Sequence, residues 1–195
     1  DGPTASTAEV AHILQEEGAR GIFCLVGGAL PQDPATPLSP QEEIALRVTR
    51  DLARAGHLLA VHGLSHARLG LHLPRQVGRD LSQAATRLEL ATGLRPVFQR
   101  PPYGHWAPWL TGSSRRVGLE PLFWSLNPFD YRSASTQAIH HTVLALARAG
   151  DIVLLHCSGP GEGRTRAALP GMLKALRGRG LEPLDPFALL ETQHA

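Results

Sequence analysis

The sequence predicts an α/β fold on parallel strands, a barrel or a doubly wound sheet, and three observations lead there. Short apolar runs alternate with stretches of helical periodicity almost without interruption. Several of those helical stretches stop at a glycine, at Gly18, Gly56 and Gly93. Strand–helix units repeated this regularly imply right-handed crossovers between parallel strands. No internal repeat, low-complexity tract or linker breaks the pattern, so residues 1–195 are expected to form a single domain.

Taken in order, the first helix is predicted over residues 5–17, where Val10, Ile13 and Leu14 share one face. A buried strand follows from Gly21 to Val26, then a proline-rich loop from Pro31 to Pro40. Ser39 has the hydroxyl of a helix cap and Pro40 suits the first helical position, so the next helix runs from there to about Ala55. Leu58–Val61 is the second strand, residues 74–92 the next helix, and Val97–Gln99 a short third strand. Leu119–Trp124, Ile152–Leu155 and Leu181–Leu184 are predicted as further strands. Helices over about 108–117, 136–149 and 165–179 fill the intervals.

Composition narrows the function classes. With 43% hydrophobic and 18% charged residues the chain is globular, and a net charge of +2 without a basic run argues against nucleic acid as a partner. No stretch approaches the ~20 apolar residues that span a bilayer. Cys24 and Cys157 cannot make a disulfide framework, and their apolar surroundings predict two buried thiols. The sequence opens at Asp1-Gly2-Pro3 with neither an initiator Met nor a signal peptide, so an upstream segment is expected. It carries no signal for oligomeric state.

Functional residues of such folds collect at the carboxyl ends of strands. His62 and His66 follow the second strand four residues apart; on a helical turn both imidazoles would share one face and could share one metal ion. Two unrelated surface histidines, among ten in the chain, are the alternative. Arg100-Pro101-Pro102-Tyr103-Gly104 follows the third strand, and its prolines hold Arg100 and the Tyr103 amide in defined directions, although a rigid turn without function would read the same. His156 closes the run Ile152–Leu155, where a satisfied core histidine is common, and Asp130 could be a turn residue or helix cap. Singly these are weak signals. Their shared strand-end location is not.

These residues resemble the NodB-homology polysaccharide deacetylases, carbohydrate esterase family 4. Asp1-Gly2-Pro3 matches the end of the family's Thr-Phe-Asp-Asp-Gly-Pro motif, and His62 to His66 its His-x-x-x-His motif, with Gly56-His57 before it. Arg100 to Gly104 matches Arg-Pro-Pro-Tyr-Gly letter for letter, Asn127 to Tyr131 matches Asp-x-x-Asp-Trp at Asp130, and Leu154 to His156 matches Leu-x-His. A terminal helix and short strand correspond to residues 167–184. The resemblance implies a distorted (β/α) barrel whose first strand is missing from this chain.

It also implies roles. Asp1, His62 and His66 would hold a divalent metal, zinc first, with cobalt, nickel or manganese as alternatives. That metal would activate a water. The Tyr103 amide would stabilise the oxyanion, His156 would act as general acid, and Asp130 would orient it. Arg100 would pair with a general-base Asp preceding Asp1, and here is expected to lack that partner. Trp124 and Leu154 would wall the acetyl methyl. Pro101, Pro102 and Trp106 would lie against the substrate, although His105 and Trp106 could equally begin a helix. Cys157 replaces a common Asp and reads as a small apolar residue or as a thiolate beside the metal site.

The resemblance implies a hydrolase that deacetylates a peptidoglycan-like or chitin-like polymer outside the cell or at its envelope. Deacylation of a lipid-linked or small-molecule amide is the alternative within hydrolases. A non-catalytic metal or glycan binder is the alternative outside them.

Overall fold

The computed structural model describes residues 1–133 and 135–191. In chain order, helix α1 (Ala5–Glu16) precedes strand β1 (Ile22–Leu25), helix α2 (Pro40–Arg54), strand β2 (Leu58–Val61) and helix α3 (Pro74–Thr92). Strand β3 (Phe98–Gln99), helix α4 (Pro108–Arg115) and strand β4 (Glu120–Pro121) come next, then helices α5 (Thr136–Leu146), α6 (Glu162–Gly178) and α7 (Ala188–Glu191). The chain divides into two compact units, one of residues 1–5 and 22–123, the other of residues 6–21 and 124 onward.

In the first unit the four strands form one parallel sheet in the order β1-β2-β3-β4. Parallel neighbours need a crossover, and α2, α3 and α4 each supply one. Every residue of β2 is buried, as an unbroken apolar run covered on both faces should be. Val61, Leu69, Val77, Leu81, Ala84, Ala85, Ala107, Leu110 and Leu119 make one core cluster, which seats α3 and α4 on the strand-end loops.

The helix boundaries follow their caps. The Ser39 hydroxyl accepts from the Glu42 N–H while the Glu42 carboxylate accepts from the Ser39 N–H, a reciprocal box that starts α2 at Pro40. Helix α3 ends at Gly93, whose φ of 76° is left-handed.

The backbone ladder runs on past the strand ends, and this positions the candidate residues. The Val26 N–H donates to the Gly2 carbonyl (2.9 Å), His62 to Leu25 (2.8 Å) and Arg100 to Val61 (2.8 Å). Asp1, His62 and Arg100 thereby meet at the carboxyl edge of the sheet.

In the second unit Leu126 and Val153 form an isolated parallel bridge, and α5 packs on α6. Three predicted strands are shorter than expected or absent. Leu119–Trp124 keeps only Glu120–Pro121, because β3 offers only Phe98 and Gln99 to pair with, and the ladder ends where the Leu122 N–H donates to the Gln99 carbonyl. Ile152–Leu155 contributes the single bridge at Val153. Its partner segment turns away at Asn127, whose side chain accepts from the Phe129 N–H, with Phe129 at φ 53°. Leu181–Leu184 is not a strand: Glu182 and Pro183 interrupt it, and Leu184 is 74% exposed.

Two glycines test this packing in opposite directions. A Cβ on Gly27 would lie 2.6 Å from the Ala84 Cα of α3, so Gly27→Ala should cost about 1–3 kcal/mol. A Cβ on Gly78, inside α3, would meet nothing within 4 Å, so Gly78→Ala should gain about 0.4–1 kcal/mol. Urea unfolding of both variants checks the pair, and equal effects would show that the Gly27–Ala84 approach is misplaced.

Candidate functional site

In the first unit, His62 follows β2 directly and is 2% exposed. Its Nδ1 lies 2.7 Å from the Arg100 carbonyl oxygen. A carbonyl only accepts, so Nδ1 carries the proton and Nε2 is left with its lone pair. Nε2 lies 2.9 Å from Asp1 Oδ1 and 3.2 Å from Arg100 Nη2, which donates to it. Burial pushes the His62 pKa well below its ordinary value, with the Arg100 charge acting in the same direction. The ring is therefore neutral. Two acceptors, an imidazole nitrogen and a carboxylate oxygen, then sit 2.9 Å apart, with the cationic Arg100 Nη2 donating to both.

His66 completes the group, with Nε2 3.5 Å from Asp1 Oδ2 and its ring 4.8 Å from that of His62. One ligand atom from each of Asp1, His62 and His66 lies within 4.8 Å of the others, the only such group of three among the described residues. Two imidazoles and one carboxylate are the donor set of a catalytic zinc site with open positions, so the residues fit a divalent ion. The two histidines do not ride a helical turn as their spacing predicted. They flank a loop in which Gly63 has φ 74° and His66 φ 53°.

Arg100, expected to lack a carboxylate partner, has one. Its Nη2 donates to Asp1 Oδ1 at 2.5 Å, while its backbone carbonyl holds His62. Pro101 and Pro102 are buried and carry the chain into Tyr103, at φ 60° and ψ 6°. A non-glycine residue there costs about 1–3 kcal/mol, which the two flanking prolines and the bond from the Gly104 N–H to the Pro101 carbonyl offset. The Tyr103 ring is 58% exposed, packs edge-on against His66 at 4.6 Å and lies under the Arg68 guanidinium. Trp106 is also exposed and precedes α4.

The second unit holds the other candidate pair. Asp130 is fully buried. Its Oδ1 lies 2.8 Å from His156 Nδ1, and its Oδ2 accepts from the His156 backbone N–H (2.7 Å) and the Thr165 hydroxyl (2.8 Å). Burial alone would raise the Asp130 pKa; the His156 side chain and N–H, with Thr165, overcome it and hold the carboxyl below its ordinary value. An ionised carboxylate on Nδ1 keeps the proton there and leaves His156 Nε2 as the exchanging atom. The Tyr131 ring packs edge-on against His156 at 5.1 Å. Leu154 is buried and Trp124 half-buried. Neither cysteine is in a disulfide; Cys24 is buried and Cys157, half-buried, donates to Thr7 Oγ1. Thr165 was not singled out in the sequence, where only its place near the start of a helix shows.

Known proteins share the fold and much of the sequence. The polysaccharide deacetylase family model matches residues 1–122. A chitooligosaccharide deacetylase of Azorhizobium caulinodans is 30% identical over 199 residues, 94% of this chain and 89% of that protein. A family 4 carbohydrate esterase from Streptomyces lividans, solved in complex with acetate, is 27% identical with a TM-score of 0.78, covering 92% of this chain and 85% of that one. A family 4 acetyl xylan esterase from Clostridium thermocellum, solved with a cobalt ion, is 25% identical with a TM-score of 0.82, covering 97% and 87%. Fold, motifs and likeness agree: this chain belongs to the polysaccharide deacetylase family, the carbohydrate esterases of family 4.

Proposed function

We propose that this enzyme removes the acetyl group from the amine of N-acetylated sugars in a chitin-like or peptidoglycan-like polymer, using a divalent metal, zinc first. The observation that carries the reading is the acceptor pair His62 Nε2 and Asp1 Oδ1, with His66 beside it, an imidazole and carboxylate set that a cation completes. The chitooligosaccharide deacetylase likeness supplies the substrate class, and the cobalt-bound relative supports the metal. A polymer of that kind would be met at the cell envelope or outside the cell.

A divalent ion held by Asp1, His62 and His66 would supply Lewis acidity, polarising the acetyl carbonyl and lowering the pKa of a water to ~7. The protein's own groups do the rest. Arg100 holds the Asp1 carboxylate in place through Oδ1 and the His62 tautomer through its carbonyl. The Tyr103 N–H, in a backbone conformation set by Pro101 and Pro102, would donate to the oxyanion of the tetrahedral stage. His156 Nε2 would deliver the proton that the leaving amine needs, and Asp130 would stabilise the imidazolium that carries it. The water's oxygen would join the acetyl carbon and its protons pass to solvent, and as the C–N bond breaks the products are the free amino sugar and acetate. Trp124 and Leu154 are the proposed apolar wall for the methyl, and Trp106 a face for the sugar.

Acetate release from N-acetylglucosamine oligomers by the full-length protein tests this. Chelation should abolish release and zinc or cobalt should restore it. His62→Ala should eliminate metal-restored activity, and His156→Ala should lower kcat by about 10²–10⁴-fold. Stoichiometric metal with no release on any oligomer would replace the deacetylase by a non-catalytic binder.

Thr165→Val removes one of the three donors to the buried Asp130 carboxylate and should cost about 1.5–3 kcal/mol at pH 7. The sign of the pH effect follows from the lowered Asp130 pKa. Its contribution to stability is present above the ordinary aspartate value and lost as pH falls through the folded one. The variant's folded value moves back up, so its stability should begin to fall at a higher pH than wild type. Unfolding curves from neutral pH to about pH 3 would show the two profiles superimposed if Thr165 does not act on Asp130.

A further inference from the structure

The proposed metal centre depends on His66, and His66 stands at φ 53°, a conformation that persists in a non-glycine residue only where its surroundings impose it. The loop from His62 to His66 is held at its middle. The Leu64 N–H donates to Asp80 Oδ1 (2.8 Å), and the Leu64 carbonyl accepts from the Gly28 N–H (2.8 Å). One residue earlier, the Gly63 carbonyl accepts from the Gly27 N–H (2.9 Å). Both faces of the Leu64 residue's backbone are thus gripped, one by a side chain from α3 and one by the turn after β1.

Besides the Leu64 N–H, His72 also acts electrostatically on Asp80. Asp80 sits on α3 between Val77, Leu81 and Ala84, all at 0% exposure, and is itself half-buried. Burial pushes its carboxyl pKa up, so the charge is kept there against a desolvation cost that the Leu64 N–H partly offsets. Its close approach requires glycine at residue 63, because a Cβ there would lie 3.3 Å from Asp80 Oδ1 at a φ of +74°. Gly28 is under the matching constraint on the other side, where a Cβ would lie 2.2 Å from the Leu64 oxygen.

We propose that Asp80 is a positioning residue of the metal centre: it clamps the Leu64 peptide against Gly28 and so sets the His66 imidazole toward Asp1 and His62. This rests on the metal-centre reading above. Asp80 touches neither metal ligand nor substrate; it acts through two residues of backbone. The partners that orient ligands in this way typically change metal affinity about 10–100-fold when removed.

The test loads the full-length protein with cobalt(II) and reads its visible absorption bands and its affinity by chelator competition, alongside melting of the metal-free protein. Asp80→Ala should weaken cobalt binding about 10–100-fold and shift the bands. Asp80→Asn, which keeps a carbonyl oxygen for the Leu64 N–H, should recover both to within a few-fold of wild type. If Asp80→Ala does not fold, Gly28→Ala reads the same clamp from the opposite side and should also weaken cobalt binding. Wild-type affinity and bands in Asp80→Ala, whatever its melting temperature, would assign Asp80 a purely structural role and overturn the proposal. An Asn variant no better than Ala would overturn the clamp through Leu64. A wild-type protein that takes up no cobalt at Asp1, His62 and His66 would instead remove the metal centre itself, a separate and recognisable failure.

Discussion

The hydrogen bond from His62 Nδ1 to the Arg100 carbonyl is the constraint on which the rest of the candidate metal centre depends. Parallel pairing of β2 with β3, with Val61 opposite Gln99, brings that carbonyl beside the imidazole one residue past the register. The carbonyl then dictates the tautomer, and the tautomer turns the Nε2 lone pair toward Asp1. Arg100 acts twice, since its guanidinium also holds the Asp1 carboxylate. Sheet register, ring orientation and carboxylate position are therefore one coupled arrangement.

The two histidines of the proposed chemistry show how the group on Nδ1 selects a role. His62 leans on a neutral carbonyl and is buried, so it stays neutral and offers a lone pair, as a ligand must. His156 leans on the buried carboxylate of Asp130, which keeps the proton on Nδ1 and leaves Nε2 for the proton-carrying role proposed for it. In the proposed chemistry one neighbouring oxygen, a carbonyl for His62 and a carboxylate for His156, separates the roles of the two rings.

Backbone strain collects at the same places. Among the described residues, the non-glycine positions with positive φ are His66, Tyr103 and Phe129. The first is a proposed ligand, the second offers the proposed oxyanion donor, and the third directly precedes Asp130. Each is over-determined by its surroundings: the Leu64 clamp, the Pro101-Pro102 pair and the Asn127 turn. Core packing of α3, through Val77, Leu81 and Ala84, gives the first of these its rigid support.

Local chemistry settled much of this protein from the sequence alone. The periodicity of 74–92 and the glycine after it define α3 to the residue, and Ser39-Pro40 defines the start of α2, because caps and periodicity act over one or two helical turns. His62, His66 and the Arg100–Gly104 stretch were legible for the same reason, being short patterns at strand ends. Strands near Pro121 and Pro183 were over-read, since an apolar run does not reveal whether its N–H groups will find a ladder. Only the tertiary structure could decide the partners: Asp1 with Arg100, His62 with the Arg100 carbonyl, Thr165 with Asp130, Asp80 with Leu64. Those pairs lie between 16 and 99 residues apart in the chain, beyond the reach of any local pattern. The sequence by itself determined which groups stand at the strand ends; strand register and helix packing, which bring distant residues within hydrogen-bond range, decided what each of those groups touches.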